Sequence, residues 1–202
     1  MKNHLFLAFS MLLIYSCSED VEVSQSSTAD APAKSTSLER GPFESNYKPL
    51  ESERTLIKSV NLYDGLGNEY SNFDVLFDDG IIKEIGKDIV DNNATIIDAR
   101  GKWLTPGLID IHSHMGVYPA PSVRTSSDGN EATSPNTAEV WAEHSVWSQD
   151  PQFSLALKGG VTAFHVLPGS ANLFGGRGAT FKNIPRNIIH EMKFPGAPHS
   201  LK

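Results

Sequence analysis

Apolar residues are sparse up to about residue 52, apart from one cluster at the start, and beyond that point they recur every second position. The run TLIKSVNLYDG, beginning at Thr55, alternates in this way and closes on Asp64-Gly65, a turn signal. FDVLFDDGIIKEIG reads as a hairpin, with strands Phe73 to Phe77 and Ile81 to Ile85 around the turn Asp78-Asp79-Gly80. ATIIDARGKWLTPG adds another short strand and turn. Closely spaced strands with no helix between them predict a small β-sandwich or half-barrel over residues 53–103. So small a unit closes its core poorly, and residues from elsewhere, including any beyond Lys202, are expected to complete it.

The pattern changes at LTPGLIDIHSHMG, residues 104–116. A short apolar run opened by Pro106-Gly107 predicts a buried strand. Side chains of a strand alternate between faces, so Asp110, His112 and His114 share one side, and two parallel imidazoles at a strand end make half of a metal site. SVRTSSDGNEATSPN is then a polar loop, and TAEVWAEHSVWSQD is partly helical. Asp150-Pro151 supplies an N-cap and a proline at the first helical position. That helix runs through QFSLALK to Gly159-Gly160, and VTAFHVL is a strand ending at Pro168-Gly169. Strand, helix and strand in this order predict a βα repeat with parallel strands.

Charge and the N-terminus change the picture in two ways. The 202 residues carry a formal net charge of −7 with no basic run, which argues against nucleic acid as a partner. Lys2 precedes a ten-residue apolar stretch, Leu5 to Ile14, followed by Tyr15-Ser16-Cys17. The stretch is too short to span a bilayer but suits a secretory signal. Its junction with the sole cysteine resembles a bacterial lipoprotein cleavage box. Residues 1–16 are then the signal peptide and Cys17 the lipidation site. The chain would be exported and lipid-anchored to a membrane of the cell envelope, with surface exposure an option; an unlipidated exported protein is the alternative. One cysteine excludes internal disulfides. Residues 17–52, rich in Ser, Ala, Thr, Glu and Pro, read as a disordered tether.

Together, DGIIKEIG, IIDARGKWLTPGLIDIHSHMG and ALKGGVTAFHVLPGSANLFGGRGATFK resemble the metal-dependent amidohydrolases, in particular the imidazolonepropionase-like branch. The similarity runs from about residue 55 to the end. It implies an α/β fold: an eight-stranded TIM-type βα barrel with an accessory β-sandwich, of which residues 104–202 are the start. A complete barrel takes about 250 residues, more than follow His114, so the chain is expected to be an N-terminal portion. The resemblance also implies one or two divalent metal ions, usually zinc, held at the first barrel strand by His112 and His114. Such a metal polarises a scissile carbonyl and activates water, here against a non-peptide C–N bond of a small-molecule substrate.

The family's remaining ligands and its catalytic base match no motif here, so the catalytic residues are expected beyond Lys202. Asp110 reads as a support for the ligands or as barrel interior. His165 reads as a packed barrel residue, Lys182 as a solvated lysine, and His190 and His199 receive no role. Arg177, in PGSANLFGGRG after the second barrel strand, is a candidate to hold a substrate carboxylate by a bidentate contact, or else part of a glycine-dependent turn. A reading of a different class is a non-catalytic, surface-anchored remnant that binds metal or a partner. Oligomeric state is left open.

Overall fold

The computed structural model describes residues 42–202; the expected signal peptide, Cys17 and most of the expected tether lie outside them. The first sheet holds β1 (Thr55–Tyr63), β2 (Glu69–Asp78), β3 (Ile81–Gly86), β4 (Thr95–Asp98) and β5 (Trp103–Leu104). Its order is β3-β2-β1-β4, with β5 pairing β1 beyond β4. The expected hairpin is present, antiparallel, around Asp79-Gly80. Among the described residues these strands form one layer rather than the two packed sheets of a sandwich.

A bulge explains how a single layer has two small cores. Register slips between Ile57 and Val60, and Ser59 sits at φ 58, so the extra residue flips the inward parity of β1. Leu56 packs with Leu76 and Ile89 on one side; Val60 and Leu62 pack with Val75 and Ala99 on the other. Ile81, Ile82, Ile96 and Ile97 remain exposed, in keeping with a layer that does not cover its own faces.

The second sheet has the order β6-β7-β8-β9, with β6 (Leu108–Ser113), β7 (Val161–Val166), β8 (Arg177–Lys182) and β9 (Ser200–Leu201). β6 and β7 are parallel and joined through helix α1 (Pro151–Lys158), as the βα pattern predicts. Asp150 caps α1 by accepting from Gln152 N, and Gly159 ends it. The stretch expected to be partly helical holds only a short 3-10 turn at Ala142–His144.

After β7 the structure departs from the simple βα reading. Instead of entering another helix, the chain turns through residues 168–176 and returns as β8, antiparallel to β7; β9 is antiparallel to β8. Phe153, Phe164, Val166, Ala179, Phe181, Met192 and Val117 form the core on the helix side of this sheet. His165 and Thr180 face the other side.

Within the expected tether, residues 43 to 47 are docked rather than free. Phe43 N donates to Glu143 Oε1 at 2.6 Å, and Lys193 Nζ donates to Phe43 O at 2.5 Å. The Phe43 ring lies 4.5 Å from the His144 ring and 4.2 Å from that of His190. No described helix is long and apolar enough to cross a membrane.

Candidate metal and catalytic site

His112 and His114 meet at the C-terminal end of β6, their ring centroids 5.3 Å apart and their planes at 84°. His114 Nδ1 lies 2.8 Å from the Leu167 carbonyl, so that nitrogen donates and Nε2 keeps the lone pair. His112 Nε2 lies 2.9 Å from Lys202 Nζ. An ammonium can only donate, so Nε2 is the accepting nitrogen of His112. Asp110 Oδ1 accepts from the His112 backbone N–H at 3.1 Å; it braces the strand end rather than an imidazole.

The loop after the pair is built around one carboxylate. Asp150, buried, accepts from Gly116 N at 2.9 Å and Ala120 N at 3.2 Å as well as capping α1. One side chain therefore ties the helix start to the turn leaving His114. Gly116 has φ 81, and a Cβ there would stand 2.6 Å from Val146 Cγ1, so the turn needs glycine.

This donor set fits part of a site for a divalent cation. Two imidazoles are present, and one has its tautomer fixed by a backbone carbonyl, as metal-ligating histidines commonly do. Among the described residues no group of three or more His, Cys, Asp or Glu is arranged to hold a metal ion. The pair supplies two ligands, not a full coordination sphere.

The other sequence candidates separate. His165 is half-buried with both ring nitrogens engaged: Nδ1 is 2.8 Å from Thr180 Oγ1 and Nε2 is 2.5 Å from Ser200 Oγ. Burial, then the neighbouring His199 and His112, hold its pKa below the usual histidine value. It is packed, as expected, but within a polar chain rather than an apolar one. Arg177 stands at the same end of the sheet as the pair, yet strand alternation turns it away from Thr180 and His165. Its guanidinium lies 4.8 Å over Trp141 and Nε donates to Ala138 O at 3.0 Å. This packing gives Arg177 a structural task and does not bring it to the histidines.

Lys182 is half-buried rather than freely solvated. Nζ sits 4.1 Å from the Phe194 ring and 5.8 Å from that of Tyr47, a cation–π setting at the far end of β8. His190 stacks on Phe43, and His199 Nδ1 meets Gly178 O while its ring packs edge-on against Trp141. A cavity of about 490 Å³ beside α1, lined by residues such as Phe153, Leu157, Asn183 and Arg186, contains neither histidine of the pair. Sequence reasoning missed Lys202, Ser200 and Thr180. The alternation of Ser200 and Lys202 offers the only signal, and a two-residue strand is too short for that to be read.

No protein-family model matches the chain. Individual proteins do. The amidohydrolase tasK of Hapsidospora irregularis is 37% identical over 123 residues, covering 59% of this chain and 12% of the relative. A dihydroorotase of Thermoanaerobacter sp. (strain X514) is 39% identical over 79 residues, covering 39% of this chain and 18% of the relative. Among solved structures, an amidohydrolase from Thermotoga maritima MSB8 superposes with a TM-score of 0.64 at 37% identity, over 70% of this chain and 37% of its own. The chain thus spans only 12% and 18% of the lengths of the two curated relatives. Over the part they cover, these similarities support a metal-dependent amidohydrolase family.

Proposed function

We propose that this chain is the N-terminal part of a metal-dependent hydrolase acting on a non-peptide C–N bond of a cyclic amide or related small molecule. The observation that carries the reading is the perpendicular pair His112 and His114 at the end of β6, one ring oriented by the Leu167 carbonyl. Relatives named amidohydrolase and dihydroorotase support the bond type and the cyclic amide. His112 and His114 would hold a divalent metal, preferably zinc, as one or two ions, His112 only once Lys202 Nζ has left its Nε2 lone pair. When bound, the metal supplies Lewis acidity to the scissile carbonyl and lowers the pKa of water. The Leu167 carbonyl orients His114, Asp110 fixes the strand end, and Lys202, the residue after β9, holds the Nε2 lone pair of His112 while no metal is bound.

The chain covers 37% of the Thermotoga structure, and the reading assigns the remaining ligands and the catalytic base to further parts of a TIM-type barrel. The imidazolonepropionase-like branch is part of the same proposal. In a full-length protein, His112→Ala and His114→Ala each lower bound metal and reduce turnover on cyclic amides by about 100-fold or more. Full metal content and full turnover in both variants would show that this pair is not the metal site, whereas a full-length parent without metal or turnover would overturn the hydrolase and leave a non-catalytic module.

Location is a separate proposal, carried by the sequence of the first 17 residues: export, with Cys17 as the lipid-bearing anchor. Cys17→Ala then loses acyl labelling and moves from the membrane fraction to the soluble envelope fraction. Unchanged fractionation would refute the anchor.

A further inference from the structure

β9 is only two residues long and pairs with β8 through Arg177↔Leu201 and Gly178↔Ser200. Beyond that pairing, Gly175 N donates to Lys202 O at 2.6 Å and Lys202 N donates to Gly176 O at 2.9 Å. So short a strand has little intrinsic hold, yet Lys202 Nζ is delivered to His112 Nε2 across ninety positions of sequence. Within β9 the side chain of Ser200 bonds His165 through Oγ and Nε2, and just before the strand His199 Nδ1 meets Gly178 O.

We propose that His165 is a positioning residue of the histidine site: through Ser200 it sets the register of β9, and β9 carries Lys202 to His112. Three observations carry this. Ser200 and Lys202 are two positions apart, so strand alternation puts both on the face that His165 and Thr180 occupy. Space has been left for the ring: a Cβ on Gly178 would stand 2.7 Å from His165 Nε2. Finally, Thr180 on β8 holds the ring from its other side, at 2.8 Å from Nδ1, so the imidazole cannot turn without losing a partner.

A neutral imidazole has one donor and one acceptor nitrogen, and the low pKa of His165 keeps it so. Each hydroxyl, able to give or accept, completes the chain Thr180–His165–Ser200. A one-residue slip of β9 would break it and turn Lys202 to the opposite face, away from His112. His165 thus acts on the site through Ser200, without itself touching the reacting atoms.

The inference rests on His112 being a site residue, but its test needs neither metal nor turnover. In the full chain with ¹⁵N-labelled histidine, the metal-free His112 Nε2 resonance reports the Lys202 contact. Lys202→Met displaces that resonance. Ser200→Ala, which removes one hydroxyl, reproduces the displacement while the melting temperature stays near native, and Ser200→Thr restores the native signal. His165→Gln gives the Ser200→Ala spectrum. A folded Ser200→Ala protein with the native His112 signal would overturn the proposal, as would an unchanged signal in Lys202→Met. A parent protein that neither binds metal nor hydrolyses cyclic amides, with these signatures intact, would instead sink the hydrolase reading and leave the positioning role standing.

Discussion

Asp74 shows how one side chain can fix a distortion that pattern alone does not reveal. It is buried, and its carboxylate accepts from Lys58 Nζ at 2.6 Å, Ser59 N at 2.8 Å and Ile89 N at 3.0 Å. Ser59 is the left-handed residue of the β1 bulge, so Asp74 holds the bulge that gives β1 its two faces. Burial alone would raise the carboxyl pKa; the bonds from Lys58, Ser59 and Ile89 outweigh it, and the net shift is downward. A pKa lower in the folded than in the unfolded state, where it is about 3.9, means stability that is present above that pH. It is lost as pH falls through the folded value. Asp74→Asn therefore costs about 2–3 kcal/mol at pH 7, and the gap to the parent closes below about pH 4. Urea unfolding at pH 7 and pH 3 measures it, and an equal gap at both pH values would exclude a charge-based role. At this scale His112 and His114 were legible because their spacing matches the period of a strand. Their contacts with Leu167 and Lys202, 53 and 90 positions away, belong to tertiary pairing and leave no local trace.

Elements differ in how far their own residues determine them. α1 was readable because Asp150, Pro151 and Gly159 are local signals that the helix uses directly. β8 was not, since GGRGATFK has no strand pattern of its own strong enough to outweigh its glycines; pairing with β7 decides it. The segment at 43–47 is a third case. Phe43, Ser45 and Tyr47 are half-buried while Pro42, Glu44 and Asn46 are exposed, the period of a docked extended chain. Composition suggested a linker, but Glu143 and Lys193, themselves buried and 2.6 Å apart, grip both backbone groups of Phe43. Ser45 Oγ and Asn46 N add bonds to the carbonyls of Lys193 and His190. Phe43→Ala is expected to lower stability by about 1–2 kcal/mol and to open residues 42–52 to protease, whereas Glu44→Ala stays within about 0.5 kcal/mol of the parent. Limited proteolysis with mass mapping checks it. Equal cutting in both variants and the parent would mean that the strap does not depend on this ring.

At the scale of the whole molecule, the uncovered faces are the dominant physical fact. β6 pairs only with β7 among the described residues, which leaves its other edge with unpaired backbone groups. Ile109 and Ile111, 66% and 77% exposed, add apolar surface to this edge strand. Leu108 and Leu155 are also exposed on the same βα unit. An open parallel edge with such apolar surface is an association site in water, and the net charge of −7 is a modest counterweight. The 202-residue chain by itself should therefore self-associate as its concentration rises. Replacing Ile109 and Ile111 together by Glu puts like charges along the edge strand and should shift the population to monomer. Sedimentation velocity over about 5–100 µM separates the cases, given that exposed hydrophobic strand edges associate in this range. A parent chain that stays monomeric throughout would show that the edge strand is shielded. A double variant that associates as strongly as the parent would move the contact to the exposed isoleucines of β3 and β4 instead.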